Sequence, residues 1–89
     1  MNVTSVAGST SGSTAITVDP TLTSGNSYKY KVAASPTIPE AGATCTTGYT
    51  VWNGTDEIQA TTGQKIVVVE VDENNKCIGA GMATIASKA

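Results

Sequence analysis

The sequence predicts one small all-β domain, and three observations predict it. β-Branched and small residues dominate: Thr, Val, Ser, Ala and Gly fill a chain with no Phe, one Leu (Leu22) and one Trp (Trp52). Thr and Val are stiff about their first torsion and suit a pleated sheet better than a helix. Turn residues recur at short intervals, at Asp19-Pro20, Thr23-Ser24-Gly25-Asn26, Asn53-Gly54, Thr62-Gly63 and Glu73-Asn74-Asn75. Between them lie runs that alternate with period two, the period of a strand. Roughly six to seven short strands read as a small antiparallel sandwich or a partly open barrel, an immunoglobulin-like topology being one form of it.

Each element has its own reason. Residues 1–14 (MNVTSVAGSTSGST) are small, polar and repetitive. They offer too little apolar area to offset chain ordering, so a flexible N-terminal arm is expected, with one weak strand around Val3 to Val6. Residues 15–89 form the single β domain. Ala15 to Val18 is a short strand stopped by Asp19-Pro20. Tyr28 to Ala34 alternates, with Tyr28, Tyr30 and Val32 inward and Lys29 and Lys31 outward. Ser35 to Gly48 contains Pro36, Pro39, Gly42 and Gly48 and reads as a loop or a poor edge strand. Tyr49 to Trp52 is a strand, Asn53-Gly54 a tight-turn dipeptide, and Glu57 to Ala60 another short strand. Lys65 to Asp72 is the surest strand; its run Ile66 to Val69 marks a central strand covered on both sides, with Val67, Val69 and Val71 on the fully apolar face. Lys76 to Ala86 returns beside it, interrupted by Gly79 and Gly81, which suggest a bulge. The core expected is Val67, Val69, Val71, Ile58, Ile85, Tyr30 and Val32. Ile16 to Val32 also echoes Ile58 to Val69: short strand, glycine turn, long strand.

Size and charge bound the function. A chain of 89 residues buries only about 60–65% of the surface its unfolded form exposes, so its core is thin. Five Lys, no Arg and seven acidic residues give a net charge of −2, without the bidentate donors that read phosphate or guanine, so nucleic acid is an unsuitable partner. No run approaches the roughly 20 apolar residues that span a bilayer, and Met1 to Thr14 has neither the basic start nor the apolar run of a secretory signal. Membrane partners are not expected.

Chemistry is not expected either. The chain has no His, the commonest proton-transfer residue. Asp56 and Glu57 are adjacent in a strand and point to opposite faces, so they cannot flank one bond. No phosphate loop, nucleophile elbow or carboxylate metal loop occurs. Without His or a C-x-x-C pair a four-ligand zinc site cannot be assembled, and Asp72-Glu73-Asn74-Asn75 reads as a solvated turn rather than a Ca²⁺ site. The expectation is a non-enzyme with no cofactor. Cys45 and Cys77 are read as two free, mostly buried thiols; a bridge between them would close a loop of about 30 residues, worth roughly 3–4 kcal/mol in the chain-entropy model. Two sequons, Asn2-Val3-Thr4 and Asn53-Gly54-Thr55, are what chance gives in a Thr-rich chain.

Binding or assembly remains. A thin core at this length favours association, and an extended uncharged segment can add as a strand to a partner's edge. Candidate interaction residues are therefore Val3, Thr4 and Val6 in the arm, and Trp52 and Asn53 at the Asn-Gly turn. Trp52 has two readings: filling the end of a thin core, which is favoured, or stacking on a ligand.

The run from Trp52 to Asp72 (WNGTDEIQATTGQKIVVVEVD), with Leu22 to Lys31 upstream, resembles segments of small β proteins of phages and prophages of Gram-positive bacteria. Similar runs occur in immunoglobulin-like repeats of bacterial surface proteins. The phage resemblance implies a virion protein of the capsid-decoration or head/tail accessory type, assembled in the host cytoplasm, with itself or a capsid shell as partner and a homo-oligomeric state. The alternative is a surface-displayed adhesion or carbohydrate-binding module of the bacterial cell surface.

Overall fold

The computed structural model describes residues 2–19, 25–46, 48–54 and 56–89. Among them the strands are β1 (Asn2–Ala7), β2 (Ser13–Asp19), β3 (Ser27–Ala33), β4 (Thr50–Trp52), β5 (Ile58–Gln59), β6 (Lys65–Val71) and β7 (Cys77–Thr84). They form a three-stranded sheet in the order β1-β2-β5 and a four-stranded sheet in the order β4-β3-β6-β7, every pair antiparallel. This is a sandwich, not a closed barrel. In immunoglobulin lettering the sheets are ABE and GFCC′, so the fourth strand joins the CFG sheet instead of the ABE sheet.

Residues expected as a flexible arm carry β1 and the start of β2. Val3 pairs with Val18, Ser5 with Ile16 and Ala7 with Thr14, so the expected boundary after Thr14 falls inside a strand. The physical reason is that main-chain pairing makes little demand on side chains. The weak strand around Val3 to Val6 needs only a neighbouring edge, and β2 of the same domain supplies it. The ladder is reinforced where Thr14, fully buried, shares a hydrogen bond with Ser5 (Oγ1 to Oγ 2.6 Å) and donates to the Val6 carbonyl at 2.9 Å.

The Ile16–Val32 echo of Ile58–Val69 corresponds to two crossovers rather than two hairpins. β2 pairs with β5 in one sheet and β3 with β6 in the other, so the first strand of each pair of the echo lies in one sheet and the second in the other. Of the turn expected at residues 23–26, Thr23 and Ser24 lie outside the described residues. Asn53-Gly54 also leads from one sheet to the other, because β4 and β5 belong to different sheets. Gly54 is required there: its φ is 87°, and a Cβ would stand 2.9 Å from the Tyr28 ring. The expected bulge is real. The β6–β7 register shifts between Glu70, opposite Gly79, and Val71, opposite Cys77, leaving Ile78 as the extra residue.

β6 is covered on both faces, as its unbroken apolar run predicts. On the inner face Ile66 and Val68 meet Ile16, Tyr28, Trp52, Ile58 and Ile85, with Val3, Val18, Tyr30 and Val32 at the margin. On the outer face Val67, Val69 and Val71 form a second core with Cys45 and Cys77, flanked by Tyr49 and Ala80. Of the expected core, Tyr30 and Val32 are only half-buried; the other five are buried. Lys29 and Lys31 are not turned freely to solvent. Cys45 and Tyr49 lie over their face: the Lys29 ammonium donates to the Cys45 carbonyl at 3.1 Å, and that of Lys31 lies 6.0 Å from the Tyr49 ring centroid. Their alkyl stems cover apolar surface while the charges reach polar atoms.

Val69, fully buried, carries the first expected outcome. Val69→Ala removes two methyl groups from the outer core and leaves a cavity, costing about 1–3 kcal/mol. The denaturant midpoint should fall at unchanged slope; an unchanged midpoint would contradict the register above.

Candidate interaction surface

Polar side chains near the β1–β2 turn are spent on holding the domain together. The Glu57 carboxylate, next to β5, accepts from the Ser9 amide (2.9 and 3.0 Å), the Ser9 hydroxyl (3.0 Å) and the Ser13 hydroxyl (3.0 Å). The C-terminal segment after β7 joins the same end: the Gly12 amide donates to the Lys88 carbonyl (2.7 Å), and the Lys88 amide to the Ser13 carbonyl (2.9 Å). The Ala86 amide donates to the Ser5 hydroxyl (2.9 Å), and Thr62 and Ser87 exchange hydroxyl contacts at 2.8 Å. Every such bond is internal, so this end reads as a clasp closing the sandwich, not as a ligand site.

The clasp makes stability depend on acid. Bonds from the Ser9 amide and hydroxyl hold the Glu57 carboxyl below the ordinary carboxylate range, against an opposing effect of desolvation and with a lesser contribution from the Ser13 hydroxyl. A depressed folded pKa stabilises the protein fully above the unfolded value of about 4.3 and ceases to do so as pH falls through the lower folded value. Unfolding midpoints taken between neutral pH and strong acid should therefore show an acid limb that Glu57→Gln makes shallower. Superimposable profiles would count against the clasp.

The acidic turn after β6 is likewise occupied by its own backbone. Asp72 Oδ1 accepts from the amides of Asn74 (2.8 Å) and Lys76 (3.0 Å), and Asn75 sits at φ 61°. Among the described residues no three metal-ligating side chains come together and no enclosed pocket is present.

The candidate interaction residues divide. Trp52 is 6% exposed; its ring lies 5.7 Å from that of Tyr28, and its Nε1 donates to the Asp56 carbonyl at 2.9 Å. It fills the core, the favoured reading. Asn53 is exposed and ties its own turn by accepting from the Asp56 amide (2.9 Å). On β1, Val3 is half-buried against the inner core, whereas Thr4 and Val6 face outward. Sequence reasoning missed Val51, 73% exposed, and Met82, also exposed. Val51 pairs with Lys29 and Met82 with Val67, and directly paired residues share a face. Both therefore emerge on the outer face of the four-stranded sheet, one at each edge strand. Alternation in Tyr49 to Trp52 would have found Val51: Trp52 inward puts Val51 outward.

The two chain ends lie at opposite ends of the sheet. Asn2 pairs with Asp19 at one end of the β1–β2 ladder, while Lys88 bonds to Gly12 and Ser13 beyond the other, about 17 Å away at strand rise.

Fold and surface together define a small immunoglobulin-like sandwich domain with two apolar cores and a few exposed apolar side chains, Val6, Ile38, Val51, Ile78 and Met82. The chain belongs to the S-layer protein SbsC C-terminal domain family, whose model matches residues 6–88. It is similar to a crystal structure of the S-layer protein SbsC, domains 7, 8 and 9 (28% identity, TM-score 0.75), covering 97% of this chain and 27% of that one. A structure of surface layer protein SbsC, domains 4–9, is similar at 29% identity and TM-score 0.74, covering 94% of this chain and 13% of that one. No curated protein matches. The chain thus spans well under half the length of the solved chains it resembles.

These findings overturn the phage reading. The virion, capsid-decoration and phage assignments, with a capsid shell as partner, give way to a domain of the surface-layer class. The resemblance from Trp52 to Asp72 rests on a turn and an apolar strand, which any sandwich of this type needs, so it carried the fold and misdirected the setting.

Proposed function

We infer that this chain is a non-enzymatic structural domain of the bacterial cell surface, working in a surface layer through contacts with like domains. The match of residues 6–88 to the S-layer family carries this reading. The opposite placement of Asn2 and Lys88 supports it, since a domain entered at one end and left at the other can be strung in series without doubling back. The partner is a second copy or a neighbouring domain of similar build, met through outward residues: Thr4 and Val6 on β1, Asn53 at its turn, and Val51. Removing residues 1–14 is not a usable test, because it would delete β1 and the buried Ser13 and Thr14. Point changes serve instead. Antibodies against the chain should label intact cells at their outer surface, and Val6→Asp with Val51→Asp should leave the domain folded by circular dichroism while reducing its self-association in light scattering. Label confined to broken cells would sink the cell-surface reading. Self-association untouched by both changes would sink the contact.

A further inference from the structure

The outer core holds both cysteines of the chain, on two different segments: Cys77 opens β7 and Cys45 lies in the segment 34–49. The segments meet at the antiparallel bridge Thr44↔Lys76, closed by the Cys45 amide on the Asn75 carbonyl (2.8 Å) and the Cys77 amide on the Ala43 carbonyl (2.7 Å). Residues one step either side of a bridged pair turn their side chains to the opposite face from that pair. Thr44 and Lys76 are exposed and bonded to each other (Nζ to Oγ1 2.7 Å), whereas Cys45 and Cys77 lie diagonally across the bridge and face inward onto Val67, Val69 and Val71. The Cys45 thiol has a long contact with the Ala43 carbonyl at 3.8 Å and the Cys77 thiol one with the Gly79 carbonyl at 3.5 Å, and the two thiols interact with each other. Diagonal neighbours stand about 7–8 Å apart at Cα, and a disulfide spans up to about 6.8 Å, so a shift of about an ångström brings them into range.

We propose that Cys45 and Cys77 are a latent disulfide, closed by exchange with a low-molecular-weight disulfide, which pins the segment around Cys45 to the four-stranded sheet. The first cysteine thiolate attacks the small disulfide, forming a mixed disulfide and releasing one small thiolate. The second attacks the protein sulfur of that mixed disulfide and releases the other. Both cysteine protons pass to the released thiolates, so the protein loses two protons and two electrons and the small disulfide gains them. Both thiols are buried and free in the folded chain, and burial, with Cys45 alongside, pushes the Cys77 thiol up from its ordinary range. The reaction therefore waits for the segment to lift, which exposes the two sulfurs together.

The test uses the full chain, reduced, freed of reductant and incubated folded with excess oxidised glutathione. The expected product has lost two hydrogens by intact mass, carries no glutathione, yields one peptide linking Cys45 to Cys77, and melts about 10 °C higher. Cys45→Ser, folded by circular dichroism, should instead retain a single glutathione on Cys77. Two thiols still titratable after later unfolding, persistent glutathione on the wild-type chain, disulfides joining two chains, or a bridged chain that melts no higher would each overturn the proposal.

Discussion

Trp52→Ala is expected to bring the domain close to unfolding. Trp52 is the one Trp in a chain without Phe, and it is buried where β4 leaves the four-stranded sheet. Truncation costs about 3–5 kcal/mol through lost burial and a residual cavity, against a total of about 5–15 kcal/mol for a typical domain. The tilted Tyr28 ring also loses its partner, an interaction worth about 0.5–1.5 kcal/mol beyond area. Trp52→Phe is expected to be milder. It keeps a buried ring and removes the pyrrole part of the indole together with its bond to the Asp56 carbonyl, so about 1–3 kcal/mol is expected. Far-UV circular dichroism in urea is the measurement, since the substitution removes the only indole. A Trp52→Ala domain within about 1 kcal/mol of the parent would mean the ring is not in the core.

The second large effect is expected from adding a single methyl group, in Gly8→Ala. A Cβ at Gly8 would collide with the Ser13 hydroxyl and stand 2.8 Å from a Glu57 carboxylate oxygen and 3.0 Å from the Ser13 backbone. Ser13 cannot swing aside cheaply, because it is buried and its hydroxyl also bonds the Thr10 carbonyl at 2.6 Å. Overpacking of this kind costs about 1–3 kcal/mol, and here the upper end is expected because the clasp must part to make room. Parting it frees the Glu57 carboxyl from its donors, so Gly8→Ala should also flatten the acid limb that Glu57 creates. A variant with unchanged midpoint and unchanged acid limb would show that the turn yields without cost.

Much of the fold was legible because its signals are local. The alternation of Tyr28 to Val32 and the apolar run Ile66 to Val69 announce strands whatever surrounds them. Gly79 announced a bulge, because a residue without a side chain marks an irregular ladder. The surface was less legible. Lys29 and Lys31 looked solvent-facing, and only Cys45 and Tyr49, distant in sequence, turn that face into a second core. Val51 follows from alternation beside an inward Trp52, whereas the place of Val6 on a paired strand shows only once the sheets are assembled. Trp52 was ambiguous by sequence because a large ring serves equally to fill a core or to stack on a ligand, and its Tyr28 neighbour is brought by β3.

By itself the sequence determined the class of this protein: an all-β domain of short strands with a doubly covered central strand. These follow from composition and period, which depend on each residue and its near neighbours. Tertiary structure alone decided that residues 2–7 are a strand and not a free arm, that Asn53-Gly54 crosses between sheets, that Cys45 and Cys77 meet, and that Ser9, Ser13 and Glu57 close a clasp. The partners of residues 2–7 lie 7 to 17 residues away, and those of the clasp lie farther, 48 residues from Ser9 to Glu57. A hydrogen-bonding backbone or a short polar side chain accepts many partners, and only the packing of the two sheets selects one.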